Sequence, residues 1–280
     1  MSDPAPTLRR HLDRYLDTID PATLPDIVGV CLTGSLATEF ADEYSDIDLM
    51  VVVDNDGTDA NLADIGKELI PDEATAVQWR ESVRRYSFDW KAHHFDVDVV
   101  RYEDLRGSDW DLETRWEYDN AEVLVDPTGR VTARLCHEVP FSDGELAKLI
   151  EQYADTMLFD AQWKVQKACL RGSFHAAHRA ATQATDAALT LLYLREHEFV
   201  PYDKWVITGL ETLAQTDKET RTLVWDATCI RERTPDDVHR RVQALQSLWK
   251  RIAISLREMD CIDVESLSWE APPVDLCFVD

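Results

Sequence analysis

The chain is short of cations. Against 54 aspartates and glutamates stand only 29 lysines and arginines, for a formal net charge of −25 over 280 residues. Lysine is the scarcer of the two: 8 of the 29 are Lys and 21 are Arg. No basic stripe interleaved with aromatics is present, so nucleic acid is disfavoured as a partner; at low salt this charge repels a phosphate backbone. Acidic excess with little Lys is also the expected surface of a halophilic cytoplasmic protein. In molar salt, charge is screened over a few ångströms and reports the solvent, not the partner. The six cysteines (Cys31, Cys136, Cys169, Cys229, Cys261 and Cys277) form no Cys-x-x-Cys pair. That argues against a zinc site and leaves most of them as small buried hydrophobes. No apolar run approaches membrane-spanning length, and no charged-then-apolar leader opens the sequence. A cytoplasmic protein with no membrane partner is therefore expected. Internal repeats and low-complexity segments are also lacking.

What is there centres on Val28–Val53, VGVCLTGSLATEFADEYSDIDLMVVV. Two short β-branched-rich runs, Ile27 to Leu32 and Leu49 to Val53, read as buried strands. Between them lie Thr33-Gly34-Ser35 and Ser45-Asp46-Ile47-Asp48. Asp46 and Asp48 stand two apart where a strand begins, so both side chains leave the same face. Two carboxylates together at the start of a core strand are costly unless neutralised. Hard oxygen donors favour Mg²⁺ over zinc. Gly34 permits a tight turn and close backbone approach. The N–H groups of Ser35 and Leu36, opening a following helix, would suit a phosphate. A later run, His94-Phe95-Asp96-Val97-Asp98-Val99-Val100, alternates as a strand with both aspartates on one face.

Gly34-Ser35 followed by Asp46-x-Asp48, with a further acid on a later strand, resembles the nucleotidyltransferase superfamily. The resemblance implies a mixed-sheet catalytic domain. It also implies Mg²⁺ and an NTP co-substrate, ATP being favoured. Asp46, Asp48 and Asp98 would hold the metals, and Thr33, Gly34 and Ser35 the β/γ-phosphates. Asp98 fits the family's Val-Asp-hydrophobic context better than Asp96, which stays open as the third ligand or as an orienting group. Asp98 would act as general base or lower the acceptor hydroxyl's pKa through its metal.

The remainder is read as helical except around a few strands and turns. A leading helix spans Thr7 to Ile19, and two helices, Ala60–Ile70 and Ala74–Tyr86, interrupt the sheet. The second would carry Arg80, Arg84 and Arg85, read as solvated or salt-bridged surface groups in preference to a triphosphate contact. A strand, Ala121–Val125, runs into an Asp126-Pro127-Thr128-Gly129 turn. Pro140 marks the boundary between a catalytic domain, 1–139, and a helical bundle, 140–280. The bundle opens on a Ser142…Glu145 capping box, with helices expected to Leu170, from Phe174 to Glu198, from Tyr202, from Lys218 to Ile230 and from Pro235 to Met259. Trp163, Trp205, Trp225 and Trp249 are expected to pack in it or against the other domain.

The fold class is thus α/β plus all-α: a nucleotidyltransferase sheet domain, then a helical bundle. The helix layout loosely resembles aminoglycoside- and lincosamide-type adenylyltransferases. That resemblance favours transfer of AMP to a hydroxyl of a small molecule. Alternatives are a protein acceptor, as in antitoxin-type nucleotidyltransferases, and a non-catalytic nucleotide sensor. The intact Asp46, Asp48 and Asp98 argue against the sensor. A bundle face would equally serve a homodimer.

Overall fold

The two valine-rich runs become neighbouring central strands, β1 (Ile27–Thr33) and β2 (Ile47–Val53), paired antiparallel. The computed structural model describes residues 5–21, 24, 26–54 and 59–259. It divides the chain into two units, Met1–Pro140 and Phe141–Asp280.

In the first unit six strands form one mixed sheet. The remaining strands are β3 (Thr75–Arg80), β4 (Arg85–Trp90), β5 (His93–Arg101) and β6 (Glu122–Val125), in the order β3-β4-β5-β2-β1-β6. Only β2 and β5 run parallel, in a register that sets Asp48 beside Asp96 and Met50 beside Asp98. Strand alternation then sorts the side chains by face. Val30, Leu32, Leu49, Val51, Phe95 and Val97 enter a core with Leu8, Leu12 and Tyr15 of α1 (Ala5–Ile19). Leu62, Ile65 and Leu69, on and just after α2 (Asp59–Glu68), close the same core. Each such side chain contributes roughly 1.5–3 kcal/mol when fully buried. The buried Tyr15 hydroxyl donates to the Leu69 carbonyl at 2.8 Å, tying α1 to the end of α2. The residues between these apolar positions put Asp48, Asp96 and Asp98 on the opposite face.

The helix expected over Ala74–Tyr86 is instead most of a hairpin, β3 and β4. Tyr86, Phe88 and Trp90 alternate with Arg85, Ser87 and Asp89, and this period of two wins because it buries all three aromatics on the sheet. The link is a single 3-10 turn closed by Arg84 at φ 52°. Two helices were not legible in the sequence. One is α3 (Leu112–Asp119), whose first turn is capped by Asp111 accepting from the Thr114 N–H at 2.8 Å. The other is α4 (Arg130–Glu138), which begins after Gly129 in the left-handed conformation.

The second unit is helical throughout most of its described part. Ser142 caps α5 (Asp143–Phe159) by accepting from the Glu145 N–H. A π turn, Asp160–Lys164, carries this helix into α6 (Val165–Leu170), and Lys164 reaches back to the buried Asp160 at 2.5 Å. α7 (Phe174–Leu194) packs against α5, α6, α8 (Lys218–Thr228) and α9 (Pro235–Arg257). The buried Ala177, Ala181, Ala184 and Ala188 keep its surface small. No helix forms at Tyr202; a turn leads to one 3-10 segment, Thr208–Glu211. Of the tryptophans expected to pack, Trp249 is buried, but Trp163 and Trp225 are more than half exposed. Cys31 is buried, as expected of filler in a core strand. Cys136 is exposed, and Cys261 and Cys277 lie outside the described residues. No helix among the described residues is long and apolar enough to cross a membrane.

Candidate active site

The loop from β1 to β2 is built around Gly34, whose φ of 64° and ψ of −156° suit glycine. A Cβ there would lie 2.1 Å from Asp48 Oδ2, so backbone and carboxylate could not approach this closely with any other residue. Thr33 pairs directly with Asp48 across β1 and β2, and Thr33 and Ser35 are both buried. Ser35 opens only a three-residue 3-10 turn, Ser35–Ala37, in place of the expected helix. It is too short to supply a helix dipole. Arg9 of α1 holds this turn by donating to the Leu36 carbonyl at 3.1 Å. The return limb is braced where Asp42 accepts from the Tyr44 N–H and pairs with the Ser45 hydroxyl. Asp46 is exposed just before β2, while Asp48 is half-buried as its second residue.

Asp48 lies in a strongly negative environment. Burial first, then the fields of Glu117 and Asp96, with a smaller one from Asp46, push its carboxyl up to about 7 against a partial offset from Arg85. On the next strands Arg85 of β4 faces Asp98 of β5 in register. Its Nε and Nη2 donate to the two Asp98 oxygens at 2.6 Å each, and Nη1 donates to Asp96 at 3.2 Å. This two-pronged grip raises the guanidinium's own pKa. Asp96 also accepts from the buried Ser87 hydroxyl. Burial, followed by Glu117 and Asp98, pushes up the Tyr118 phenol, so it stays neutral.

Arg85 therefore belongs to the site rather than to the surface, as does the Glu117–Tyr118 pair on α3. The alternation of Tyr86, Phe88 and Trp90 was the available signal for Arg85. No local pattern marked α3. His94 sits at the rim, 2.7 Å from Asp89; burial opposes its charge, but Asp89, Asp46 and Asp96 together raise its pKa. His93 lies against the ring of His11 instead.

The donor set is all oxygen, and Asp48 is crowded by other acids, so these residues fit a hard divalent cation. As they stand, no three His, Cys, Asp or Glu side chains among the described residues converge into a ready metal cluster. Asp98 is committed to Arg85.

Residues 15–82 match the family model for a nucleotidyltransferase domain. That match spans Gly34, Ser35, Asp46 and Asp48 and ends before β4 and β5. It supports an enzyme of nucleotidyl transfer. Residues 113–206 match a second family, a domain of unknown function (DUF4037), which crosses the division at Pro140. No curated protein matches the chain. Among solved structures, a nucleotidyltransferase-like protein from Exiguobacterium sibiricum is similar at 14% identity, over 89% of this chain and 81% of that one, with a TM-score of 0.49. A spectinomycin adenyltransferase from Enterococcus faecialis, solved with ATP and spectinomycin, is similar at 12% identity over 87% and 98%, with a TM-score of 0.37.

Proposed function

We propose that the chain is a Mg²⁺-dependent nucleotidyltransferase that moves a nucleoside monophosphate, AMP from ATP, onto a hydroxyl of a small molecule. One observation carries this reading: Gly34 is packed onto Asp48, inside the stretch that matches a nucleotidyltransferase domain. Asp46 and Asp48 would hold the cation, with a third carboxylate from β5, Asp98 or Asp96. Bound there, Mg²⁺ would neutralise phosphate charge and lower the pKa of the attacking hydroxyl.

The chain's own residues do the rest. Gly34 lets the β1–β2 backbone approach the triphosphate, with Thr33 and Ser35 beside it. Asp48, raised to about 7, gives up its proton readily once a cation offsets Glu117 and Asp96. Arg85 holds the Asp98 carboxylate in one orientation through both of its oxygens. The reaction itself is positioning plus charge neutralisation, which is what rigid strand-borne carboxylates supply.

The net charge of −25 favours a small acceptor over RNA. A protein hydroxyl remains the second reading for the acceptor. The test is incubation with α-labelled ATP, Mg²⁺ and pooled small hydroxyl compounds in molar KCl, with a protein pool in parallel. Label in the small-molecule fraction supports the proposal. Label only in protein selects the second reading, and release of no pyrophosphate in either contradicts both.

A further inference from the structure

The guanidinium of Arg85 lies on the two β5 carboxylates, Asp98 and Asp96. It bonds both oxygens of Asp98 and one of Asp96. Its side chain is 29% exposed, against 26% for Asp98 and 15% for Asp96, so the grip is partly shielded from solvent. Register enforces this arrangement: Arg85 sits directly opposite Asp98, and Ser87 directly opposite Asp96, across β4 and β5. The fork geometry matches a carboxylate edge to edge, using both oxygens in strong charge-assisted bonds. A divalent ion on those same oxygens would stand against a fixed positive charge.

We infer that Arg85 is a built-in cation that takes the place of the acceptor-side metal, so that the site holds one divalent ion, on Asp46 and Asp48. Asp98 is then the anchor of Arg85 in place of the third-ligand role proposed for it. Arg85 is a positioning residue that also supplies fixed charge. A covalently attached cation has two consequences. The β5 side of the site is organised before any nucleotide arrives, and it does not depend on the free Mg²⁺ concentration. The inference rests on the nucleotidyl-transfer reading of Asp46 and Asp48.

The experiment counts Mn²⁺ bound to the full chain by electron paramagnetic resonance, with a non-hydrolysable ATP analogue present. Wild type is expected to bind one ion. Asp48→Asn should weaken that ion by at least about tenfold, the scale set by perturbing a metal site. Asp98→Asn should keep it, with a loss smaller than the roughly tenfold expected from disturbing the ion's own ligands or their direct partners, since Asp98 lies outside its coordination. Arg85→Met, by freeing Asp98 and Asp96, should add a second ion. Arg85 in a merely structural role would leave the ion count unchanged. Should Arg85→Met not fold, the near-isosteric Asp98→Asn decides alone. Two ions in wild type, or loss of an ion in Asp98→Asn, overturns this inference and leaves the nucleotidyl-transfer reading standing. Absence of any Mn²⁺ binding in wild type overturns both.

Discussion

Asp48 in the sheet unit and Asp217 in the helical unit are both aspartates at the start of a regular element, and the fold treats them oppositely. Asp217 caps α8, accepts from the Thr220 N–H at 2.7 Å and from its hydroxyl at 2.8 Å, and has Arg251 beside it. Those bonds hold its carboxyl down to about 2. Asp48 has the Gly34 backbone against it and other acids around it, and is pushed up to about 7. Asp237 repeats the first pattern: three donors, the Arg231 and Glu232 N–H groups and the Arg240 guanidinium, lower its pKa despite burial. An acid whose partners are all supplied by the chain is structural. Asp48 is instead crowded by like charge, which makes it a candidate to take a partner from outside the chain.

The comparison breaks most visibly if Asp48 is neutralised. Asp48→Asn should lower nucleotidyl transfer by about 10³-fold, the scale of losing one preorganised electrostatic group. Steady-state assays with labelled ATP check this. In the helical unit the corresponding break is Arg241→Ala. Arg241 is fully buried and donates to the Ala227 and His178 carbonyls and the Thr182 hydroxyl. Orphaning these acceptors should cost about 3 kcal/mol, read from urea midpoints. Gly34→Ala should cost about 2 kcal/mol through its positive φ and the clash with Asp48. Unlike Arg241→Ala, it should also abolish nucleotide binding in the protein that stays folded, as calorimetry would show.

A gentler probe is pH. Asp48's folded value of about 7 lies above its ordinary 3.8, so the unfolded chain loses that proton first. Its ionisation therefore erodes stability as pH rises from the unfolded value toward 7. Asp48→Asn should raise the melting temperature in chelator most at about pH 8, less at about pH 5, and change it little below the unfolded value of 3.8. Asp217 has the opposite sign. Its folded value of about 2 lies below 3.8, so its contribution is present above 3.8 and lost as pH falls toward 2. Asp217→Ala should flatten acid unfolding in that window, the smallest of these effects.

The sequence made β1, β2, β5 and the Ser142 and Thr234 helix caps legible because each announces itself locally. The valine runs, the Ser142…Glu145 box and the pairing of Thr234 as cap with Pro235 as first residue of α9 need no distant partner to be read. The β3–β4 hairpin was misjudged because the helix expected over Ala74–Tyr86 stops short of the alternation that continues through Phe88 and Trp90. Phe88 and Trp90 decide the matter by reaching a core built from α1 and α2. That Asp46 and Asp48 share one face, and Asp96 and Asp98 one face of a later strand, was readable from spacing; their joint role was implied only by the family resemblance. Arg85, Glu117 and Tyr118 were not readable in this way, since they join that face only through the pairing of β4 and the placement of α3.

The most direct test of the central claim is calorimetry of MgATP binding in molar KCl, for wild type and for Asp46→Asn/Asp48→Asn. The account predicts binding to wild type that needs the metal and is lost in the double variant. Equal binding by both proteins, or none by either, would contradict it.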